Sequence, residues 1–207
     1  RTYIWENYFR NIEEQAILAA DVLTFPSVGA RELLIKDFPH LEELISKKSK
    51  IIYTGIPDPQ EILSVTTRGV EIEPTKEIVI NIGNHIPDKG VDLALYLFKK
   101  LLDLTGMDLY FVNFGQHTSE TRKLYALAKD LGINEKVEFR GICSQSDVLN
   151  YTRHAFLALH TPRKVVFDLS LLEFMALGTP VIATHVKGNQ EALGKDYPLF
   201  VSLENLE

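Results

Sequence analysis

Cysteine is almost absent from this 207-residue chain: Cys143 is the one example, so no disulfide can form within it. So little cysteine fits a reducing compartment. The sequence also lacks an apolar run long enough for a transmembrane helix, and its six histidines show no metal-ligand spacing with cysteine. Acidic residues (28) outnumber lysine and arginine (22), and the formal net charge is −6. Without a basic cluster, nucleic acid is not expected as a partner.

The length allows one large domain, or one domain and part of another. The chain begins at Arg1 without an initiator methionine and ends in a polar stretch. We therefore expect it to be a piece of a longer protein.

Short apolar runs alternate with single helical patterns from about residue 77 onward. Strands separated by single helices predict a parallel sheet, and hence a doubly wound, Rossmann-like α/β fold. The predicted strands are Ile78–Ile82, Asp108–Val112, Val137–Phe139, Ala155–Leu159, Pro180–Ala183 and Leu199–Val201.

The front of the chain predicts a different organisation. Residues 1–58 hold two strand patterns and two helical ones, too few for a complete Rossmann domain, although they could be the end of one. Residues 59–76 have no strong period and predict a linker or a hairpin. Residues 77–207 then form the main domain.

Two loops follow predicted strands at the edge where parallel sheets bind ligands. In the first, residues 83–90, Gly83 and Gly90 permit close backbone approach, and Lys89 can reach a phosphate. A solvated loop with an exposed lysine is the alternative. In the second, residues 160–168, Arg163 and Lys164 could add positive charge or simply be solvated.

The second loop leads into a helix whose first amides, near Leu169 to Leu171, could hold a diphosphate. Asp168 fits the N-cap of this helix better than a catalytic acid. Between Leu169 and Leu177 only Ser170 and Glu173 are polar, so the pattern predicts a buried helix. A buried carboxylate needs a partner. Glu173 should therefore meet either a ligand or a buried arginine or lysine.

The order of these pieces resembles the retaining nucleotide-sugar glycosyltransferases of the GT-B architecture, also called group 1 glycosyltransferases. Thr54-Gly-Ile-Pro-Asp58 is similar to their "NGID" crossover, and residues 83–90 to "GR…KG". Val137-Glu-Phe-Arg-Gly-Ile142 is similar to "VxFxG", the segment from Asp168 to "GLVLLEAMAxGxPVIA", and Lys187-Gly-Asn-Gln-Glu191 to "GGxxE". The resemblance runs through nearly the whole chain and implies the end of an N-terminal domain followed by the C-terminal donor-binding half.

The resemblance also implies roles for single residues. Lys89 would bind the donor diphosphate and Glu173 the ribose hydroxyls, while the backbone near Gly141 and Ile142 would line the base pocket. The amides of Leu169 and Ser170 would hold phosphate. The donor-binding residues expected on these grounds are Gly83, Asn84, Lys89, Ile142, Arg163, Leu169, Ser170 and Glu173, and no catalytic residue is assigned.

Two departures from the family pattern bear on activity. Val165 stands where an "E-x7-E" pattern has its first acid, and Asn84 replaces the arginine of "GR", which removes a cation that would stabilise the leaving group. These departures keep a second hypothesis open, a non-catalytic glycosyltransferase-like subunit that binds an active transferase or a glycoprotein. A third, a GT-B sugar-nucleotide epimerase, needs catalytic acids and histidines that we cannot assign here.

The resemblance implies a UDP- or GDP-linked hexose as donor, with no cofactor and no metal. The acceptor would be a glycan, a lipid or a protein, and the missing part of the N-terminal domain would be a further partner. A cytoplasmic location is expected. Peripheral association with the inner face of the membrane, and a dimer that is real or artefactual, are left open.

Overall fold

A computed structural model of the protein describes residues 2–66 and 77–205. The chain divides into two units, residues 1–54 and 55–207. Among the described residues, no helix combines the length and the apolar character needed to cross a membrane.

The described residues of the first unit form two short parallel strands and three α-helices. Strand β1 pairs with β2, and their neighbours share a small core of Ile17, Phe25, Phe38 and Ile45. In chain order the elements are α1 (Thr2–Ala19), β1 (Leu23–Phe25), α2 (Val28–Asp37), α3 (Glu42–Lys48) and β2 (Ser49–Ile51). The two strand patterns and two helical patterns predicted for the front of the chain correspond to β1, β2, α1 and α2. Helix α3 has no predicted counterpart, because its seven residues are too few for a clear helical period.

The second unit contains a six-stranded, fully parallel sheet. Its elements are α4 (Pro59–Thr66), β3 (Glu77–Ile82), α5 (Val91–Thr105), β4 (Leu109–Phe114), α6 (Thr121–Asp130), β5 (Val137–Phe139), α7 (Gln145–His154), β6 (Leu157–His160), α8 (Leu169–Ala176), β7 (Val181–Thr184), α9 (Lys187–Leu193) and β8 (Phe200–Val201). The strand order is β5-β4-β3-β6-β7-β8. This confirms the predicted doubly wound α/β fold, because it is the arrangement in which two half-sheets run outward from a central pair.

Helices cover both faces of this sheet. Ile78 and Ile80 of β3 face a core formed with α7 and α8, whereas Val79 faces one formed with α5 and α6. Strands buried on both faces must be apolar throughout, which explains why they show as continuous runs in the sequence.

The predicted linker, residues 59–76, differs from the structure over its first half. Residues Pro59–Thr66 form α4, which contacts α7, and Ile62 is buried. This one-sided packing on a neighbouring helix has no sequence signal in so short a segment. Residues 67–76 of the predicted linker lie outside the described residues.

The loops after the two central strands are in direct backbone contact. Gly90 has a φ of +61°, and a Cβ added there would lie 1.9 Å from the carbonyl oxygen of Thr161. The Thr161 hydroxyl donates to the carbonyl of Gly90 at 2.8 Å. The chain thus brings the ends of β3 and β6 together at the point where the strand order reverses.

Replacing Gly90 by alanine should test this contact, with Gly106→Ala as the matched control. Both glycines have a positive φ, +61° and +64°, but a Cβ at Gly106 meets nothing within 4 Å. We expect G106A to lower the free energy of unfolding by about 1–2 kcal/mol, the strain of a left-handed residue. G90A should lower it by about 3 kcal/mol or more, because the clash with Thr161 is added. Urea unfolding followed by circular dichroism measures both, and equal losses would contradict the close approach.

Candidate functional site

A pocket of about 300 Å³ opens at the carboxyl ends of the central strands. Five of the predicted donor-binding residues line it: Gly83, Asn84, Lys89, Ile142 and Ser170. Asp168, predicted as a helix cap, also lines it. The fold therefore brings the loop after β3 and the start of α8 to one cavity, at the crevice where open parallel sheets bind their ligands.

Backbone packing shapes one wall of this pocket. A Cβ on Gly115 would lie 2.0 Å from the carbonyl oxygen of Gly83, so the two loops touch through their main chains. Gly115 N also donates to the carbonyl of Gly141 at 3.0 Å, and Gly141 has a φ of +72°. The side chain of Ile142 is 79% exposed. The wall offers backbone and one apolar side chain to a ligand.

A chain of buried hydrogen bonds ties the ends of three strands together. His85 bonds through Nε2 to the side-chain oxygen of Asn113 at 2.7 Å, and through Nδ1 to the hydroxyl of Thr121 at 2.8 Å. Asn113 donates to the side-chain oxygen of Asn81 at 2.7 Å, and Asn81 donates to the carbonyl of Leu159 at 2.7 Å. Burial lowers the pKa of His85, against the hydrogen bond to Asn113. Satisfied polar networks of this kind hold a buried region in one arrangement.

Asn84 is engaged in the same region. Its side-chain oxygen accepts a hydrogen bond from the backbone N–H of Gln116 at 2.8 Å. Asn84, where the "GR" motif has arginine, thus links the loop after β3 to the loop after β4.

Lys89 and Asp168 form an ion pair inside the pocket. The distance from Lys89 Nζ to Asp168 Oδ2 is 2.6 Å. The other carboxylate oxygen, Oδ1, accepts from the backbone N–H of Ser170 at 3.2 Å and from its hydroxyl at 2.9 Å. Asp168 is therefore the N-cap of α8, as predicted. Burial alone would raise the pKa of Asp168, but His160, Lys89 and Ser170 outweigh it, and the pKa lies below its ordinary value.

Glu173 is half-buried, whereas the sequence predicted a buried helix around it. Helix α8 packs through Ser170, Leu171 and Phe174, and the opposite side remains open, with Leu169 43% exposed and Met175 47% exposed. Glu173 shares the Leu169 side, four residues along. The prediction was wrong because apolar residues also form much of a protein's surface, so an apolar helix need not be enclosed.

The structure gives Glu173 one long hydrogen bond, from Gln145 Nε2 at 3.4 Å. No lysine or arginine among residues 2–66 and 77–205 forms an ion pair with it. Burial raises the pKa of Glu173, and repulsion from Asp168 acts in the same direction. The predicted alternative, a buried cationic partner, is therefore not found within the described part of the chain.

Arg163 does not line this pocket. Its guanidinium binds both carboxylate oxygens of Asp92 at 2.7 and 2.8 Å and donates to the carbonyl of Pro87 at 3.0 Å. Leu169 and Glu173 lie on α8 but are also outside the pocket lining. Through its guanidinium, Arg163 links the loop after β6 to the start of α5.

His160 is a buried titratable residue beside Asp168 that the sequence analysis does not single out. It is the last residue of β6 and is only 2% exposed, and its ring packs edge-on against Phe174. Burial lowers the pKa of His160 from its ordinary value of 6.5 to about 4, against the attraction of Asp168. In the sequence, His160 stands out only as a histidine at the end of an apolar strand. That position does not indicate that its ring lies near Asp168, eight residues later.

Among the described residues, no group of three or more histidine, cysteine, aspartate or glutamate side chains is arranged to hold a metal ion.

Sequence comparison finds one family along most of the chain. The family model described as "Glycosyl transferases group 1" matches residues 66–202. The mannosyltransferase "GDP-Man:Man(3)GlcNAc(2)-PP-Dol alpha-1,2-mannosyltransferase" of Mus musculus is 29% identical over 140 residues, which are 63% of this chain and 28% of that protein. A D-inositol 3-phosphate glycosyltransferase of Streptomyces bingchenggensis is 25% identical over 187 residues, or 85% of this chain and 40% of that protein.

Solved structures agree on the fold. A glycosyltransferase from Rickettsia africae has a TM-score of 0.72 at 16% identity, with 95% of this chain and 52% of that chain covered. Anabaena Alr3699/HepE in complex with UDP-glucose has a TM-score of 0.66 at 18% identity, with 85% of this chain and 48% of that chain covered. The chain thus spans less than half of these two curated relatives and about half of these solved chains.

Lowering the pH should destabilise the protein through His160. Between its pKa of about 4 in the folded state and 6.5 in the unfolded state, the unfolded chain binds more protons at this residue. The free energy of unfolding should therefore fall as the pH drops from 6.5 to about 4, by on the order of 3 kcal/mol. Burial of His85 acts in the same direction.

Urea unfolding at several pH values in this window, for the original chain and for His160→Gln, checks the prediction. H160Q removes the titrating group and keeps a polar side chain. Its stability should therefore depend less steeply on pH, and a slope equal to that of the original chain would contradict the assignment.

Proposed function

Because the chain belongs to the group 1 glycosyltransferase family, we propose that it is the donor-binding part of a retaining glycosyltransferase. It binds a nucleoside-diphosphate sugar, from which a hexose is transferred to an acceptor hydroxyl. The observation that carries this proposal is the pocket at the strand-order reversal, where Lys89 and the start of α8 meet. A cation and a helix N-terminus are the two features that proteins use to hold phosphate groups.

The diphosphate is assigned to Lys89 and to the first amides of α8, those of Leu169 and Ser170. Lys89 stabilises the negative charge that develops on the leaving nucleoside diphosphate, which is a large part of such catalysis. Gly83 leaves room for the Lys89 side chain, because a Cβ there would lie 3.3 Å from Lys89 Cβ. No step of this proposal requires a metal ion.

The nucleoside is assigned to Glu173 and to the segment around Ile142. A half-buried carboxylate with one long hydrogen bond has acceptor capacity left for two ribose hydroxyls. The exposed side chain of Ile142 and the backbone beside Gly141 provide a surface for the base. Asn84 holds the loop in this arrangement through Gln116.

The names of similar proteins support a UDP- or GDP-linked donor. The Anabaena protein was solved with UDP-glucose, and the mouse relative is named for GDP-Man. The acceptor is a glycan, a lipid or a protein. Because the chain spans only part of each relative, we assign part of the acceptor-binding site to residues outside these 207. A cytoplasmic location, with peripheral association at the membrane, belongs to the same proposal.

A second candidate is a non-catalytic subunit that retains the fold and binds an active transferase or a glycoprotein. Two observations favour it. Asn84 is occupied with the backbone of Gln116, and the Val165 side chain packs so closely on Gly188 that a Cβ added at Gly188 would lie 2.9 Å from Val165 Cγ1. The two departures from the family pattern thus have structural roles. Donor hydrolysis or transfer that is lost in Glu173→Ala would exclude this candidate, whereas an inert full-length protein that co-purifies with a transferase would favour it.

Isothermal titration with UDP, UDP-glucose, GDP-mannose and inorganic pyrophosphate tests the donor site. Lys89→Ala should weaken the binding of the nucleotides and of pyrophosphate alike, since it removes the cation that would bind the phosphates of all four compounds. Glu173→Ala should lower the affinity for the nucleotides by about tenfold, because a hydrogen bond to a charged group is lost. Pyrophosphate has no ribose, so its affinity should change by less than about twofold in the same variant.

Lys99→Ala and Glu61→Ala are the matched controls, because Lys99 lies on α5 and Glu61 on α4, and neither residue lines the pocket or belongs to α8. Both variants should bind as the original chain does. A folded chain that binds none of the four compounds would contradict the donor site. Equal effects of E173A on UDP and pyrophosphate would contradict the ribose assignment alone.

A further inference from the structure

The charge inside the pocket does not favour a polyanion. Lys89 and Asp168 are the two charged side chains among the described residues that line it, and their charges cancel. The nearby Glu173 adds negative charge when ionised, and Asp168 repels it. A diphosphate carries at least two negative charges, so it must compete with the carboxylate already present.

Asp168 occupies the groups that the diphosphate needs. One carboxylate oxygen binds Lys89 at 2.6 Å, and the other accepts from the Ser170 amide and hydroxyl at 3.2 and 2.9 Å. The carboxyl side chain is 11% exposed, so water does not screen these bonds well. Lys89 and the first turn of α8 are therefore already satisfied by an anion that belongs to the chain.

We propose that Asp168 is an internal competitor for the donor diphosphate and thereby sets the affinity of the site. The diphosphate can bind Lys89 only when the Asp168 carboxylate releases it. The same holds for the Ser170 amide if the diphosphate extends to it. This inference rests on the proposed function, since it concerns the same pocket. It assigns to Asp168 a role beyond capping α8.

Proton uptake on binding follows from the groups around Asp168. Lys89 faces it from the loop after β3, His160 from β6, and Ser170 and Glu173 from α8. When Lys89 turns to the phosphate, the carboxylate loses its cation but keeps the negative Glu173 and the new ligand nearby. A proton from solvent, shared by Asp168 and His160, then restores the balance. The exchange breaks no covalent bond.

Asp168→Asn isolates the charge, because asparagine caps a helix as well as aspartate does. Titration of the whole 207-residue chain with UDP and with inorganic pyrophosphate should show both ligands binding at least about fivefold more tightly to D168N, since a like charge beside the phosphate is gone. The gain should disappear when Lys89→Ala is combined with it. Asp108→Asn makes the same charge change at an exposed aspartate paired with Lys136, and should alter affinity by less than about twofold.

Titration in buffers of different ionisation enthalpy gives a second readout that a structural role would not change. Near pH 6 the original chain should take up protons when UDP binds, and D168N should take up fewer. Thermal melting followed by circular dichroism verifies that D168N is folded.

The outcomes separate this inference from the proposed function. Binding by D168N that is tighter than that of the original chain, or seen where the original chain shows none, supports the competitor role. Binding by the original chain that D168N leaves equal or weaker overturns the competitor role, and the donor site stands. Absence of binding by both folded proteins overturns the donor site and the competitor role together.

Discussion

The contact between Gly90 and Thr161 holds the site together, because it fixes the loops after β3 and β6 against each other. The oxygen of Thr161 takes the space that any side chain at position 90 would need. Arg163 N also donates to the carbonyl of Asp88 at 2.8 Å, so the loops are joined at a second point. Lys89 and Asp168, which are 79 residues apart in the chain, consequently meet at 2.6 Å. A substitution that separated these two loops would therefore move Lys89 away from Asp168 and alter the pocket directly.

The residues beneath the pocket are more deeply buried and more fully hydrogen-bonded than Ile142 at its edge. Below the pocket, the hydrogen bonds from His85 through Asn113 to Asn81 satisfy buried polar groups at the ends of adjacent strands. Polar groups are expected there because parallel strands end with unpaired backbone at that edge. Ile142, which lines the pocket, is by contrast largely exposed. This contrast suits a site that fixes the phosphates by geometry and adapts at its edge to the remainder of a ligand.

Much of the fold and part of the site follow from the sequence, for identifiable reasons. The strands of the main sheet are buried on both faces, so each shows as an apolar run, and Gly83, Lys89 and the Asp168 cap stand at junctions with known chemistry. Helices α3 and α4 were missed because their burial comes from neighbours that local sequence does not encode. The half-exposure of Glu173 has the same origin. No spacing rule could have paired Lys89 with Asp168, since that contact exists only after β3 and β6 become neighbours.

The departures from the family pattern act on the charge of the pocket in a consistent way. Asn84 removes a cation and Val165 removes an acid, so together they leave the formal charge unchanged. Asp168 stands where the motif similar to this segment has glycine, and it adds one negative charge. Lys89 alone must therefore balance both Asp168 and an incoming diphosphate. A site with this balance binds a polyanion through geometry and backbone amides more than through net charge. Under the proposed function, such a site would stabilise a leaving diphosphate less than a site with two cations, so the proposed nucleotide recognition follows more directly from this arrangement than rapid transfer does.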